Sequence, residues 1–106
     1  MPVLKLNPDE IKVAMAQLDQ GSIDFEEPCI FKQWRFRDFK TVIQFFNQVC
    51  ELADTQDHHP EILTTYTSFR IRLWTHDAGG ITQKDFALAS AIDRLISSNF
   101  EGSIIN

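Results

Sequence analysis

The chain is short of several residue types, and each shortage excludes something. It has two cysteines, Cys29 and Cys50, in 106 residues. That is too few for a disulfide framework, and no CxxC spacing exists for zinc or redox chemistry. Both lie in apolar surroundings, so buried thiols and a reducing, cytoplasmic compartment are expected. Cations are also scarce: 10 Lys and Arg stand against 15 Asp and Glu, a net charge of −5. Wrapping nucleic acid needs a basic stripe that displaces counterions, so no direct nucleic-acid partner is expected. The one local basic cluster, Lys32, Arg35, Arg37 and Lys40, is interrupted by Asp38 and reads as a solvated strand edge. No apolar run is long enough to span a bilayer and the start carries no secretory core, so no membrane partner is expected.

What is present suits one globular domain, residues 1–106. The apolar fraction is 43%, with nine phenylalanines and two tryptophans to fill a core. A chain of this length buries roughly 60–70% of the surface its unfolded form exposes, enough to fold alone.

Local signals then set the elements. "NPDE" starts a helix: Asn7 caps, Pro8 suits the first position and Glu10 reaches back. Ile11, Ala14, Met15 and Leu18 recur at helical spacing, and Gly21 ends the run. Two extended pieces follow, Ser22–Phe25 and Cys29–Arg37, split at Pro28. Asp38 caps a second helix whose apolar stripe is Phe39, Val42, Ile43, Phe46, Val49, Cys50 and Ala53, with Phe45 off the stripe. Coil is expected from Asp54 to Pro60. A hairpin follows, with its turn near Thr67–Ser68. After it Phe69, Ile71, Leu73 and Thr75 share one face. Thr82 and Asp85 open a third helix lined by Phe86, Ala89, Ile92, Leu95 and Ile96, and "NFEGSIIN" forms a short extension. The order α-β-β-α-β-β-α predicts an α+β fold: a four-stranded antiparallel sheet with three helices on one face.

Histidine is scarce but informative, with three in the chain. His58 and His59 sit in the loop entering the second hairpin, and His76 in the loop leaving it. A hairpin returns the chain to its start, so three imidazoles should surround one cleft, with Asp57 and Asp85 as nearby carboxylates. Imidazole titrates near neutrality and gives or takes protons. No Ser or Cys sits in an elbow motif nearby, so proton shuffling, addition or elimination fits better than acyl transfer. HExxH and HxH spacings are absent, and no metal is expected. On the residues alone, a solvated loop pair and a simple cap role for Asp85 stay open.

The spacing Asp54, His58-His59-Pro60, Tyr66, His76, Asp85 resembles the signature of the pterin-4a-carbinolamine dehydratases. "IFKQWRFRDF", "HHPE", "THDAGG" and "LASAID" resemble family blocks, and the similarity runs from about Ile11 to Ile96. The resemblance implies dehydration of 4a-hydroxytetrahydropterin to quinonoid dihydropterin, in tetrahydrobiopterin recycling, without metal or organic cofactor. By position, His58 and His76 resemble the acid–base histidines and His59 a substrate-orienting partner. Asp57, Pro60 and Asp85 fall at orienting or substrate-binding positions. The resemblance also implies a homodimer or homotetramer. A second family role gives the alternative: a non-enzymatic module, acting as a transcription-factor dimerisation cofactor with a protein partner and a nuclear location, or as an assembly scaffold. One departure is "QGSIDF", which stands where many members carry a Gly-Trp pair at the pterin site, and weaker pterin binding is expected from it.

Overall fold

The computed structural model describes residues 4–18, 22–24 and 28–105, the second segment as backbone. Asn7 opens the first helix as its sequence predicts. Its side chain accepts the Glu10 N–H at 2.8 Å, and Glu10 Oε1 accepts the Asn7 N–H at 2.9 Å. This helix, α1 (Pro8–Met15), buries no residue fully. Ile11, Ala14, Met15 and Leu18 pack half-buried against the core. Gly21, the expected stop, lies outside the described residues.

Four strands pair antiparallel: β1 (Ser22–Asp24), β2 (Cys29–Arg35), β3 (Glu61–Thr65) and β4 (Ser68–Leu73), in the order β1-β2-β4-β3. The expectation of a four-stranded sheet is corrected in its extent. The body of the sheet is three-stranded, β2-β4-β3, and β1 adds only a three-residue strip, pairing Ser22 with Phe31 and Asp24 with Cys29. Pro28 carries no N–H and cannot extend that ladder. Phe25, the expected end of the strip, is outside the described residues. β2 also stops before the expected Arg37. The Phe36 N–H turns to the Thr67 carbonyl at 2.8 Å, and Phe36 bridges Ile104 instead. The second hairpin turns at Tyr66–Thr67, one residue earlier than expected, with Tyr66 left-handed at φ 51°.

α2 (Phe39–Gln56) begins at Asp38, whose side chain accepts the Thr41 N–H at 2.8 Å. Its buried face is Val42, Phe45, Val49 and Ala53. The expected stripe is therefore rotated: Phe45 is fully buried, while Phe39 is 50% exposed and Ile43 38%. The helix carries two adjoining apolar rows, and hydropathy alone does not say which one the sheet selects. The selection follows from the aromatic ring of partners. Phe45 lies 4.8 Å from Phe69, 5.0 Å from Phe36, 5.2 Å from Phe100 and 5.6 Å from Trp34, centroid to centroid.

α3 (Gln83–Leu95) buries Phe86, Leu88, Ala89, Ala91 and Ile92, together with Asp85. The chain then widens into a π-helical turn, Ile96–Phe100, which brings Phe100 into the core. The Ile105 N–H closes onto the Arg35 carbonyl at 2.9 Å, so the expected short extension is pinned to the sheet. The solvated reading of the basic cluster is corrected at Lys32, while Arg35, Arg37 and Lys40 are exposed as expected. Lys32 is buried, its ammonium pairs with Asp93 of α3, and it lies 5.3 Å from the centre of the Trp34 ring. Burial of a lysine is tolerable only with such a partner. No helix among the described residues is long and apolar enough to cross a membrane.

Phe45→Ala should cost about 3–5 kcal/mol, the usual scale for an aromatic core truncation. Phe39→Ala should change stability by less than about 1 kcal/mol. Urea denaturation of the two variants checks which apolar row faces the sheet. The Thr41 side-chain and backbone hydrogen bonds hold the Asp38 carboxyl below its usual range. A lowered folded value means the cap's contribution is full above the ordinary carboxylate range and is lost as pH falls through the folded value. Asp38→Asn should therefore flatten the acid limb of a stability–pH profile while leaving neutral-pH stability close to wild type.

Candidate active site

The end of α2 places the first histidine. The helix runs to Gln56, past the coil boundary expected at Asp54, and Asp57 then turns left-handed at φ 51°. Aspartate tolerates that conformation better than most residues. The turn aims the His58 N–H back at the Ala53 carbonyl, 3.0 Å away. Asp57 itself remains exposed and serves as this cap, and no hydrogen bond links it to an imidazole. Pro60 is half-buried and leads into β3.

His58 is buried, at 9% exposure, against the expectation of a solvated ring. Its Nε2 meets Asp85 Oδ1 at 2.6 Å. Asp85 is fully buried in the first turn of α3, and its other oxygen is used as well. Oδ2 accepts the Thr75 hydroxyl at 2.9 Å and the Thr82 N–H at 2.9 Å. A carboxylate taken out of water needs its acceptor sites filled in this way. Asp85 is thus both the capping-box residue of α3 and the partner of His58.

His76 follows Thr75 directly and opens a short 3-10 turn, His76–Ala78. Gly79 closes that turn at φ 72°, a conformation that favours glycine. The Thr75 N–H bonds the Gly80 carbonyl at 2.8 Å, pinning the loop. Register places this loop and the His58 loop at one end of the sheet, because Glu61 pairs with Arg72. His76 is exposed and lines a cavity of about 530 Å³ with Glu61, Arg72, Trp74 and Cys29. Ligand pockets commonly fall in this size range. A groove of about 590 Å³ lies between α1 and α3, but no histidine lines it.

His59 is exposed and bonds Asp54 through Nε2 at 2.9 Å. The nearby carboxylates are therefore Asp85 for His58 and Asp54 for His59. Residue typing alone did not single out Thr75, Glu61, Arg72 or Trp74. Thr75 carried a signal, as the hydroxyl residue on an otherwise apolar strand face. Burial and the Asp54 charge push the Cys50 thiol above its usual range, which disfavours the thiolate. Among the described residues, no group of three or more His, Cys, Asp or Glu side chains could hold a metal ion.

Comparison with known proteins shows the family of the chain. The family described as Pterin 4 alpha carbinolamine dehydratase matches residues 4–95. A protein of Chloroflexus aurantiacus, provisionally named pterin-4-alpha-carbinolamine dehydratase, is 41% identical over 92 residues, covering 87% of this chain and 97% of its own length. A crystal structure of a transcriptional coactivator/pterin dehydratase from Brucella melitensis superposes with a TM-score of 0.82 at 28% identity, covering 86% of this chain and 97% of that one. A pterin dehydratase-like protein identified as a RuBisCO assembly factor in the alpha-carboxysome shares the fold alone, with a TM-score of 0.57 at 22% identity over 72% of this chain and 86% of that one. His58, His76 and Asp85 all fall within the matched segment, and this chain belongs to the pterin 4 alpha carbinolamine dehydratase family.

Proposed function

We propose that the protein dehydrates a 4a-hydroxytetrahydropterin to the quinonoid dihydropterin by histidine acid–base catalysis, in tetrahydrobiopterin recycling. The observation that carries this is the buried 2.6 Å contact between His58 Nε2 and Asp85, at the sheet end that also holds His76. In the reaction an acid protonates the C4a hydroxyl. The N5 lone pair forms the C4a=N5 bond as the C–O bond breaks, and a base removes a proton from a ring nitrogen. Water and the quinonoid product balance the substrate.

The Asp85 contact fixes the orientation of the His58 ring for proton transfer. His76 lines the cavity and donates to the departing hydroxyl. His59, steadied by Asp54, orients the pterin, with Pro60 setting the approach of the loop. Asp57 acts through the backbone turn that presents His58. No organic cofactor takes part.

Phe39, Ile43 and the half-buried Phe46 form an apolar row on the outer side of α2. That row favours self-association as a homodimer or homotetramer, and it would also serve the alternative role of a protein-binding module. The coactivator function named for the Brucella protein is one form such a module could take.

His76→Ala should lower the rate of dehydration of a chemically prepared carbinolamine by about 10²–10⁴ with folding intact. His58→Ala should lose a similar factor and also about 1–3 kcal/mol of stability, since it strips a hydrogen bond from a buried carboxylate. A wild-type protein without dehydratase activity, yet oligomeric through the α2 row by sedimentation, would favour the binding module.

A further inference from the structure

Two buried threonines stand behind Asp85, and their hydrogens can be placed by counting. Thr75 Oγ1 lies 2.6 Å from Thr82 Oγ1 and 2.9 Å from Asp85 Oδ2. Each hydroxyl has one hydrogen, and an ionised carboxylate only accepts. The Thr75 hydrogen therefore goes to Asp85, and the Thr82 hydrogen must go to Thr75. Thr82 Oγ1 is left to accept, and it receives the Lys84 N–H at 3.2 Å. The chain runs one way, from Thr82 through Thr75 to Asp85, and ends at Oδ1 against His58 Nε2. Since Oδ1 also only accepts, Nε2 must hold the imidazole proton.

Thr82 and Asp85 are fully buried, and Thr75 and His58 are each 9% exposed. At that depth a hydrogen-bond series polarises along its length, and a broken link is costly. Helix capping explains Thr82 and Asp85 but gives the Thr75 hydroxyl no task. Thr75 continues the buried face of Phe69, Ile71 and Leu73, where a valine of the same shape would be the apolar choice.

We propose that Thr75 and Thr82 are positioning residues: their hydroxyls in series orient the Asp85 carboxylate so that His58 is held with its proton on Nε2 and Nδ1 as the proton-accepting nitrogen. The Thr75 backbone N–H separately anchors the loop that begins with His76, by bonding the Gly80 carbonyl, while its hydroxyl acts on His58 through Asp85. The inference rests on the proposed proton-transfer role of His58.

The test combines ¹⁵N chemical shifts of the His58 ring with steady-state kinetics of carbinolamine dehydration. Wild type should show neutral His58 as the Nε2–H tautomer. Thr75→Val should mix the tautomers and lower kcat about ten- to a hundredfold, the scale of one hydrogen bond to a charged group, with KM within about twofold. Thr75→Ser, which keeps the hydroxyl, should restore both readouts. An Nδ1–H tautomer in wild type overturns the proposal without recourse to any variant. A Thr75→Val protein with the wild-type tautomer and kcat also overturns it, while leaving the dehydratase assignment standing. If wild type dehydrates no carbinolamine, that assignment fails, and the tautomer shift alone decides what the threonines do.

Discussion

A carboxylate with no exposure to water constrains everything near it. Asp85 sits in the first turn of α3, yet its two oxygens reach the end of β4, the helix cap and the loop after α2. Leaving such a group unsatisfied costs more than any single hydrogen bond contributes. The three segments are therefore held to one another by what the carboxylate requires. The sheet end, the start of α3 and the end of α2 meet at Asp85, and the histidines lie on the segments it draws together.

Much of this was legible in the chain, for identifiable reasons. Asn7, Asp38 and Thr82 announced their helices because short polar side chains satisfy orphan N–H groups. The alternation of Phe69, Ile71, Leu73 and Thr75 gave the buried face of β4 because a strand has period two. The two-row problem on α2 was not legible. Phe39 and Phe45 are equally apolar, and only the surrounding aromatic rings decide which is buried.

Within the candidate site, sequence spacing picked out the candidate residues and Asp85 as a nearby carboxylate, but not which carboxylate meets which ring. Asp57 adjoins His58 in the chain, but a left-handed residue sends its side chain elsewhere, and Asp85, 27 positions away, takes the contact. Asp54 reaches His59 because helix α2 extends further than Pro60 suggested. The burial of Lys32 was hidden for a similar reason. Its charge argued for solvent, and only the facing Asp93 on α3 makes an interior position tolerable.

The segment after α3 bears on where this domain can be cut. Similarity to the family ends at residue 95, yet Phe100 stands 5.2 Å from Phe45 and Ile104 bridges Phe36. An expression fragment trimmed to the homologous boundary would remove one wall of the aromatic cluster and uncap the end of β2. The physical limit of the folding unit lies several residues beyond its evolutionary one.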